Sequence, residues 1–149
     1  MKKLTSAILC LCIMASIFCL PVSAKSPVNI FNVTVETPKA GNKPDYNASV
    51  PATASTKVVK VEWDGELDEN GLFKNGTEYT MYATVRLLDE HKDEKYIKYV
   101  ENTVKVNGKI AKLKDISEDK TQAVVYYTFK VGETATEEAS GHTHCYCGR

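Results

Sequence analysis

The sequence of 149 residues has no cysteine between Cys19 and Cys145, and its Lys+Arg and Asp+Glu counts are equal at 19 each. The long cysteine-free stretch excludes a disulfide framework, so a domain built from it depends on core burial alone. The balanced charge excludes the strongly basic surface that is typical of nucleic-acid-binding proteins. No nucleic acid is therefore expected as a partner.

The sequence also lacks the short motifs of common catalytic sites. It contains no Gly-x-Ser-x-Gly nucleophile elbow, no phosphate-binding P-loop and no His-Glu-x-x-His zinc motif. His91 is the single histidine that precedes the C-terminal tail. A pair of glycosidase carboxylates remains open, because such a pair has no fixed spacing in sequence. The expectation is that the protein is not an enzyme.

Long apolar runs are equally scarce, and the one that is present lies at the start. Lys2 and Lys3 precede an almost uncharged run over residues 4–20, and Val22-Ser23-Ala24 follows it. This layout predicts a signal peptide over residues 1–24, cleaved after Ala24. The alternative is that the apolar run stays as an uncleaved membrane anchor.

No second apolar run approaches the roughly 20 residues that a membrane-crossing helix needs. The mature chain is therefore predicted to have no membrane span. Together with the leader, this places the protein outside the cell, either secreted or associated with the cell surface. Residues 25–149 suit one domain rather than two ordinary ones.

Alternation of apolar and polar side chains dominates the sequence after the leader. The longest such stripe runs over residues 79–87, and another runs over residues 125–131. Asn107-Gly108 is a strong hairpin signal, since both residues tolerate positive φ. Six or seven such stripes between turns predict an all-β fold, an antiparallel β-sandwich of about seven strands. The predicted core residues are Val33, Val61, Trp63, Val85, Leu87, Val106, Tyr127 and Phe129.

Four short motifs follow one another along residues 28–131. They are Ala40-Gly41-x-x-Pro44, a strand with Trp63, Phe73-x-x-Gly76-x-x-Tyr79, and Val106-Asn107-Gly108. In this order they resemble the Ig-like modules of exported and surface proteins of Gram-positive bacteria. The resemblance implies an Ig-like sandwich that acts as a spacer, as a surface-presentation unit, or beside catalytic or carbohydrate-binding domains. It brings no catalytic residue with it.

Residues 132–149 form a segment of different character, predicted to be a flexible linker followed by a His/Cys tail. The tail contains His142, His144, Cys145 and Cys147 within six positions, a ligand set suited to Zn²⁺ or Cu⁺. Outside the cell the same two thiols could instead form a disulfide. Zinc at this tail is the one cofactor that the sequence offers, and extracellular metal binding is an alternative function.

An acidic loop over residues 64–71 has part of a calcium-binding pattern. Glu66, Asp68 and Asn70 are spaced like the first ligands of an EF-hand loop. The position that needs a bidentate glutamate is occupied by Thr77, and strands rather than helices are predicted on both sides. A solvated turn is the favoured interpretation.

Three tyrosines are predicted to point outward from the sheets. Tyr82, Tyr99 and Tyr126 form either an aromatic strip for sugar stacking or a cover for a sheet edge. A carbohydrate-binding module is thus a second alternative. The main prediction is a secreted, non-catalytic Ig-like module for cell-surface spacing, adhesion or interaction, whose partner is a surface protein or a glycan.

Overall fold

The computed structural model describes residues 23–29 and 32–132. This part of the chain forms ten strands and a single 3₁₀ turn at Asp89–His91, with no α-helix. The predicted all-β fold with antiparallel sheets is confirmed. The leader up to Val22 and the tail that carries His142, His144, Cys145 and Cys147 lie outside the described residues.

The strands form two four-stranded sheets and a two-stranded ribbon, with strand orders β4-β5-β10-β9, β3-β2-β7-β8 and β1-β6. In chain order the strands are β1 (Ser26–Asn29), β2 (Asn32–Val35), β3 (Ala48–Ser49), β4 (Thr56–Asp64), β5 (Glu78–Leu87), β6 (Lys95–Lys98), β7 (Lys105–Val106), β8 (Lys109–Ile110), β9 (Lys112–Ile116) and β10 (Gln122–Lys130).

The sheet β4-β5-β10-β9 is antiparallel throughout and contains the longest strands. Its register shifts between Val58 and Lys60 on β4, and again opposite the step from Val124 to Val125 on β10. The second shift leaves Lys114 as an extra residue on β9, which is an edge strand. Bulges of this kind are common at sheet edges, where they twist a strand away from further pairing.

The remaining strands depart from the sequence prediction in number and in direction. Three of them are only two residues long, too short to show alternation in the sequence. Two pairs are parallel, with Ser26 opposite Lys95 and Asn32 opposite Lys105. Each parallel pair joins segments that are far apart in the chain, so no local pattern could have indicated it.

The core lies where the inward faces of both four-stranded sheets meet β6 and the loop before β7. Tyr79, Met81, Ala83, Val85 and Leu87 of β5 are all buried, as their two-residue period predicts. Six of the predicted core residues are buried: Val33, Val61, Val85, Leu87, Val106 and Phe129. The other two, Trp63 and Tyr127, are half-buried and contact the core from its border.

A second apolar cluster joins three of the sequence motifs. Phe73, Tyr79 and Val131 are buried together, with the half-buried Trp63 against them. The ring centroids are 5.2 Å apart for Trp63 and Phe73 and 4.7 Å apart for Phe73 and Tyr79. The N–H of Gly41 donates to the carbonyl of Phe73 at 2.9 Å, so the Ala-Gly-x-x-Pro turn is attached to the same cluster.

Candidate functional site

Tyr82 and Tyr126 lie side by side on the outward face of the antiparallel sheet. They are directly opposite each other on β5 and β10, at positions that alternate with the buried residues of both strands. Their ring centroids are 5.8 Å apart and the planes are inclined by 37°. Both side chains are half-buried, so part of each ring remains accessible.

A surface groove of about 420 Å³ opens beside Tyr126 at the edge of this sheet. The chain passes there from β8, an edge strand of one sheet, to β9, an edge strand of the other. The buried Ala111 marks the crossing, and its N–H donates to the carbonyl of Val104 at 2.9 Å. The groove is lined by Tyr99, Glu101, Asn102, Ile110, Ala111, Lys112, Leu113 and Tyr126.

Tyr99 lines the same groove as Tyr126, so the three tyrosines proposed from the sequence form one connected surface. Tyr126 belongs both to the groove and to the ring pair with Tyr82. We call Tyr99, Tyr126 and Tyr82 the tyrosine track. Ile110, 56% exposed, adds an accessible aliphatic side chain to the groove.

Polar groups stand at the rim of this apolar surface. Glu101 and Asn102 are exposed in a tight turn, which the N–H and the hydroxyl of Thr103 close by donating to the carbonyl of Val100 at 3.2 and 2.7 Å. Asn102 has a φ of 64°, a left-handed conformation that asparagine adopts more readily than most residues. The rim therefore offers an amide, a carboxylate and the ammonium group of Lys112.

Lysine side chains accompany the tyrosines on the sheet face. Lys112 is directly opposite Tyr126 on β9. The Nζ of Lys114 lies 4.1 Å from the ring centroid of Tyr82, within the range of a cation–π contact. Lys112 and Lys114 are two positions apart on β9, and both side chains are exposed.

Two other surface grooves have similar volumes, about 400 and 350 Å³. Neither contains an aromatic side chain in its lining. Ligand sites in proteins are typically 300–1,000 Å³, mostly apolar and aromatic, with a few placed polar groups. The groove at Tyr126 fits this description best of the three.

The acidic loop that resembles part of a calcium site is a hydrogen-bonded turn. The Oδ1 of Asp68 accepts the N–H groups of Asn70 and Leu72 at 2.9 and 2.8 Å. Glu66 forms a salt bridge with Lys74 at 3.0 Å instead of turning toward Asp68. Over residues 23–29 and 32–132, no three His, Cys, Asp or Glu side chains are grouped as metal ligands would be.

Two exposed carboxyl groups outside the groove lining have lowered pKa values. Hydrogen bonds from the hydroxyl of Ser117 and from the N–H and hydroxyl of Thr121 lower the pKa of Asp119 to about 2. A hydrogen bond and the positive charge of Lys92 lower the pKa of Asp89. Both carboxyl groups stabilise local turns, because their bonding partners are two or three residues away in the chain.

The groove residues other than the tyrosines were not anticipated from the sequence. Glu101, Asn102, Ile110 and Leu113 come from the turn before β7 and from two edge strands that meet in the folded chain. One signal was present, since Ile110 is an apolar residue directly after a hairpin and between lysines. His91, the single histidine before the tail, is half-buried and does not line the groove.

No protein-family model, no curated protein and no solved structure matches this chain. Within the described part of the chain, no helix is long and apolar enough to cross a membrane. The groove, the tyrosine track and the sequence patterns are therefore the features that bear on function.

Proposed function

We propose that the protein is a secreted, non-catalytic Ig-like module that holds a glycan on its tyrosine track and so mediates adhesion or interaction at the cell surface. The observation that carries the proposal is the juxtaposition of Tyr99 and Tyr126 in one groove, with Tyr82 next to Tyr126. The leader-like segment at residues 1–24 supports the extracellular setting. Three of the four motifs that carry the Ig-like resemblance meet around Phe73, which supports the Ig-like part of the proposal.

Sheet stabilisation accounts for part of this surface but not for all of it. A cross-strand aromatic pair such as Tyr82 and Tyr126 contributes to the stability of many sheets without any ligand. Tyr99 also packs against the core, but both Tyr99 and the exposed Ile110 lie outside that ring pair and line an open groove next to it. A sugar ring fits this combination, because it offers an apolar face to an aromatic ring and hydroxyl groups to the polar rim.

Glycan binding by residues 25–149 tests the proposal. We expect signal on a glycan array for the unmodified chain and a loss of at least about tenfold for Tyr126→Ala and for Tyr99→Ala, since each removes a stacking surface of the groove. Tyr46→Ala is the matched control, because Tyr46 is 59% exposed and lies outside the track.

Folding of each variant is checked by its thermal unfolding midpoint. A chain that binds no glycan, or binds equally well with Tyr126→Ala and Tyr99→Ala, contradicts the proposal. The bound glycan is then incubated with the protein and its length measured. We expect it to stay intact, and cleavage would contradict the non-catalytic part of the proposal.

A further inference from the structure

Four lysines lie close together in the segment that forms the edge of the groove. Lys105, Lys109, Lys112 and Lys114 fall within ten residues, and no acidic residue separates them. All four side chains are exposed. The segment runs from β7 through β8 to β9, so it follows the edge of one sheet and then the edge of the other.

Strand register places two of these lysines, and a ring contact a third, next to an apolar or aromatic residue of the site. Lys112 is opposite Tyr126, and Lys105 is opposite Ile110. The ammonium group of Lys114 lies over the ring of Tyr82 at 4.1 Å. Residues that are directly opposite on neighbouring strands project on the same side of a sheet.

The positive charge of these lysines is not neutralised within the described part of the chain. The salt bridges there involve Lys60, Lys74, Lys92 and His91, and none of the four lysines. Lys109 and Lys114 lie instead over the rings of Tyr127 and Tyr82. Among the described residues that line the groove, Glu101 alone is acidic.

A ligand that complements this surface carries a ring and a negative charge on the same unit. The ring is needed because the tyrosine track offers a stacking face at Tyr126. The charge is needed because Lys112 is directly opposite Tyr126 and the ammonium group of Lys114 lies over Tyr82. A hexuronic acid has both, whereas a glycerol phosphate chain has the charge without the ring. A neutral hexose has the ring without the charge.

We propose that the groove binds an acidic polysaccharide built from hexuronic acid units, with a sugar ring against Tyr126 and its carboxylate on Lys112. The carboxylate of the next unit along the chain is held by Lys114, whose ammonium group lies over the ring of Tyr82. This inference rests on the proposed function and adds the chemical class of the glycan.

Binding is measured by titration calorimetry with residues 25–149 and three polymers: polygalacturonate, neutral dextran and a glycerol phosphate polymer. We expect polygalacturonate to bind best and its affinity to fall as salt is raised, because salt screens exposed charges. Lys112→Gln is expected to lower the affinity for polygalacturonate about tenfold, as the loss of one charge-assisted hydrogen bond does. Lys114→Gln is expected to act in the same direction.

Lys43→Gln is the matched control, since it removes an exposed positive charge outside the groove lining. Equal binding of dextran and polygalacturonate, with dependence on Tyr126, overturns this inference and leaves the proposed glycan binding in place. Binding of the glycerol phosphate polymer as tightly as polygalacturonate also overturns it. Failure to bind any of the three polymers, together with an empty glycan array, overturns the proposed function as well.

Discussion

The side chain of Tyr79 links the start of β5 to the loop that precedes it. Its ring is fully buried, and its hydroxyl accepts the N–H of Lys74 at 2.8 Å and donates to the carbonyl of Glu66 at 2.9 Å. The residue thus connects the start of β5 to two places in the preceding loop. The same type of contact, a tyrosine hydroxyl bonded to upstream backbone, occurs at the tyrosine corner of Ig domains.

Replacing Tyr79 by phenylalanine removes these two hydrogen bonds and keeps the ring. We expect Tyr79→Phe to lower the free energy of unfolding by about 1–3 kcal/mol, because two part-buried backbone groups lose their partner. Urea denaturation measures the change. Tyr46→Phe, at a tyrosine that is 59% exposed, is the control and is expected to change stability little. Equal effects of the two variants would contradict the role given to the hydroxyl.

Gly65 contacts the same tyrosine from the end of β4. Its φ is 136°, and a Cβ at this position would lie 2.5 Å from Cδ1 of Tyr79 and 3.0 Å from the carbonyl oxygen of Glu78. Alanine at Gly71 would meet the same kind of backbone strain, with a φ of 73°, but no atom within 4 Å. Gly71 thus has a positive φ without a close contact, whereas Gly65 has both.

We expect Gly65→Ala to destabilise the protein clearly more than Gly71→Ala. Backbone strain alone accounts for roughly 1–2 kcal/mol at the left-handed φ of Gly71, whereas Gly65 combines a φ farther from the range of L residues with the clash with Tyr79. Urea denaturation of both variants gives the comparison. A larger loss for Gly71→Ala would show that the approach of Tyr79 to Gly65 is not tight.

At the scale of elements, the hairpin between β7 and β8 also fastens β7 to β2. Asn107 has a φ of 48° in the turn, and its side-chain amide bonds the backbone of Val35. The amide oxygen accepts the N–H of Val35 at 3.0 Å, and the amide nitrogen donates to its carbonyl at 2.8 Å. The Asn107 side chain thereby adds two hydrogen bonds to Val35 of β2, beyond the point at which the backbone pairing of β2 with β7 ends.

Asn107→Gly retains a residue that accepts positive φ but removes the amide. We expect it to lower the free energy of unfolding by about 1–2 kcal/mol, the contribution of two part-buried hydrogen bonds. Asn107→Ala is expected to lose more, because alanine also disfavours the turn conformation. Denaturation curves of the two variants test this order. An unchanged stability for Asn107→Gly would contradict the strand-like role of the amide.

The hairpin turn between β9 and β10 gives the protein an acid-sensitive element. The pKa of Asp119 is lowered to about 2 by hydrogen bonds from Ser117 and Thr121. A carboxyl whose pKa is lowered by folding stabilises the folded state above its ordinary pKa, and this stabilisation disappears as the pH falls through the folded value. The turn is therefore expected to weaken between about pH 4 and pH 2.

We expect Asp119→Asn to reduce the loss of thermal stability between pH 4 and pH 2, because the variant has no carboxyl to protonate in that window. Its stability at neutral pH is expected to be lower than that of the unmodified chain. Asp115→Asn on β9 is the control for a change of net charge. Parallel pH profiles for Asp119→Asn and the unmodified chain would show that the turn does not depend on the ionised form.

Whether the sequence predicts a strand depends on the length of the strand and on how far along the chain its pairing partner lies. The stripes of β5 and β10 were readable because nine or more residues alternate on one buried face. The pairing of β1 with β6 and of β2 with β7 was not readable, because it depends on tertiary contacts. The groove follows the same rule. The sequence predicts Tyr82, Tyr99 and Tyr126 to be outward aromatics, whereas Glu101 and Ile110 join the site only through tertiary contacts.

At the scale of the whole molecule, residues 23–29 and 32–132 form their core without a cysteine. Stability there comes from the apolar residues that both four-stranded sheets bury between them. We expect the thermal unfolding midpoint of residues 25–149 to be the same with and without a reducing agent. A fall of several degrees on reduction would show that Cys145 and Cys147 contribute to the stability of the fold.

The parallel pairing of β1 with β6 also sets the order in which the chain can complete its fold. A chain that emerges with its N-terminus first presents Ser26–Asn29 long before Lys95–Lys98, the segment that pairs with it. At synthesis rates of about 5–20 residues per second, that strand waits several seconds for its partner. Contacts so distant in sequence slow folding, because a long loop must close before any pairing is gained. The first strand of the protein to appear is thus one of the last to pair, and until then its backbone N–H and C=O groups remain available to neighbouring chains.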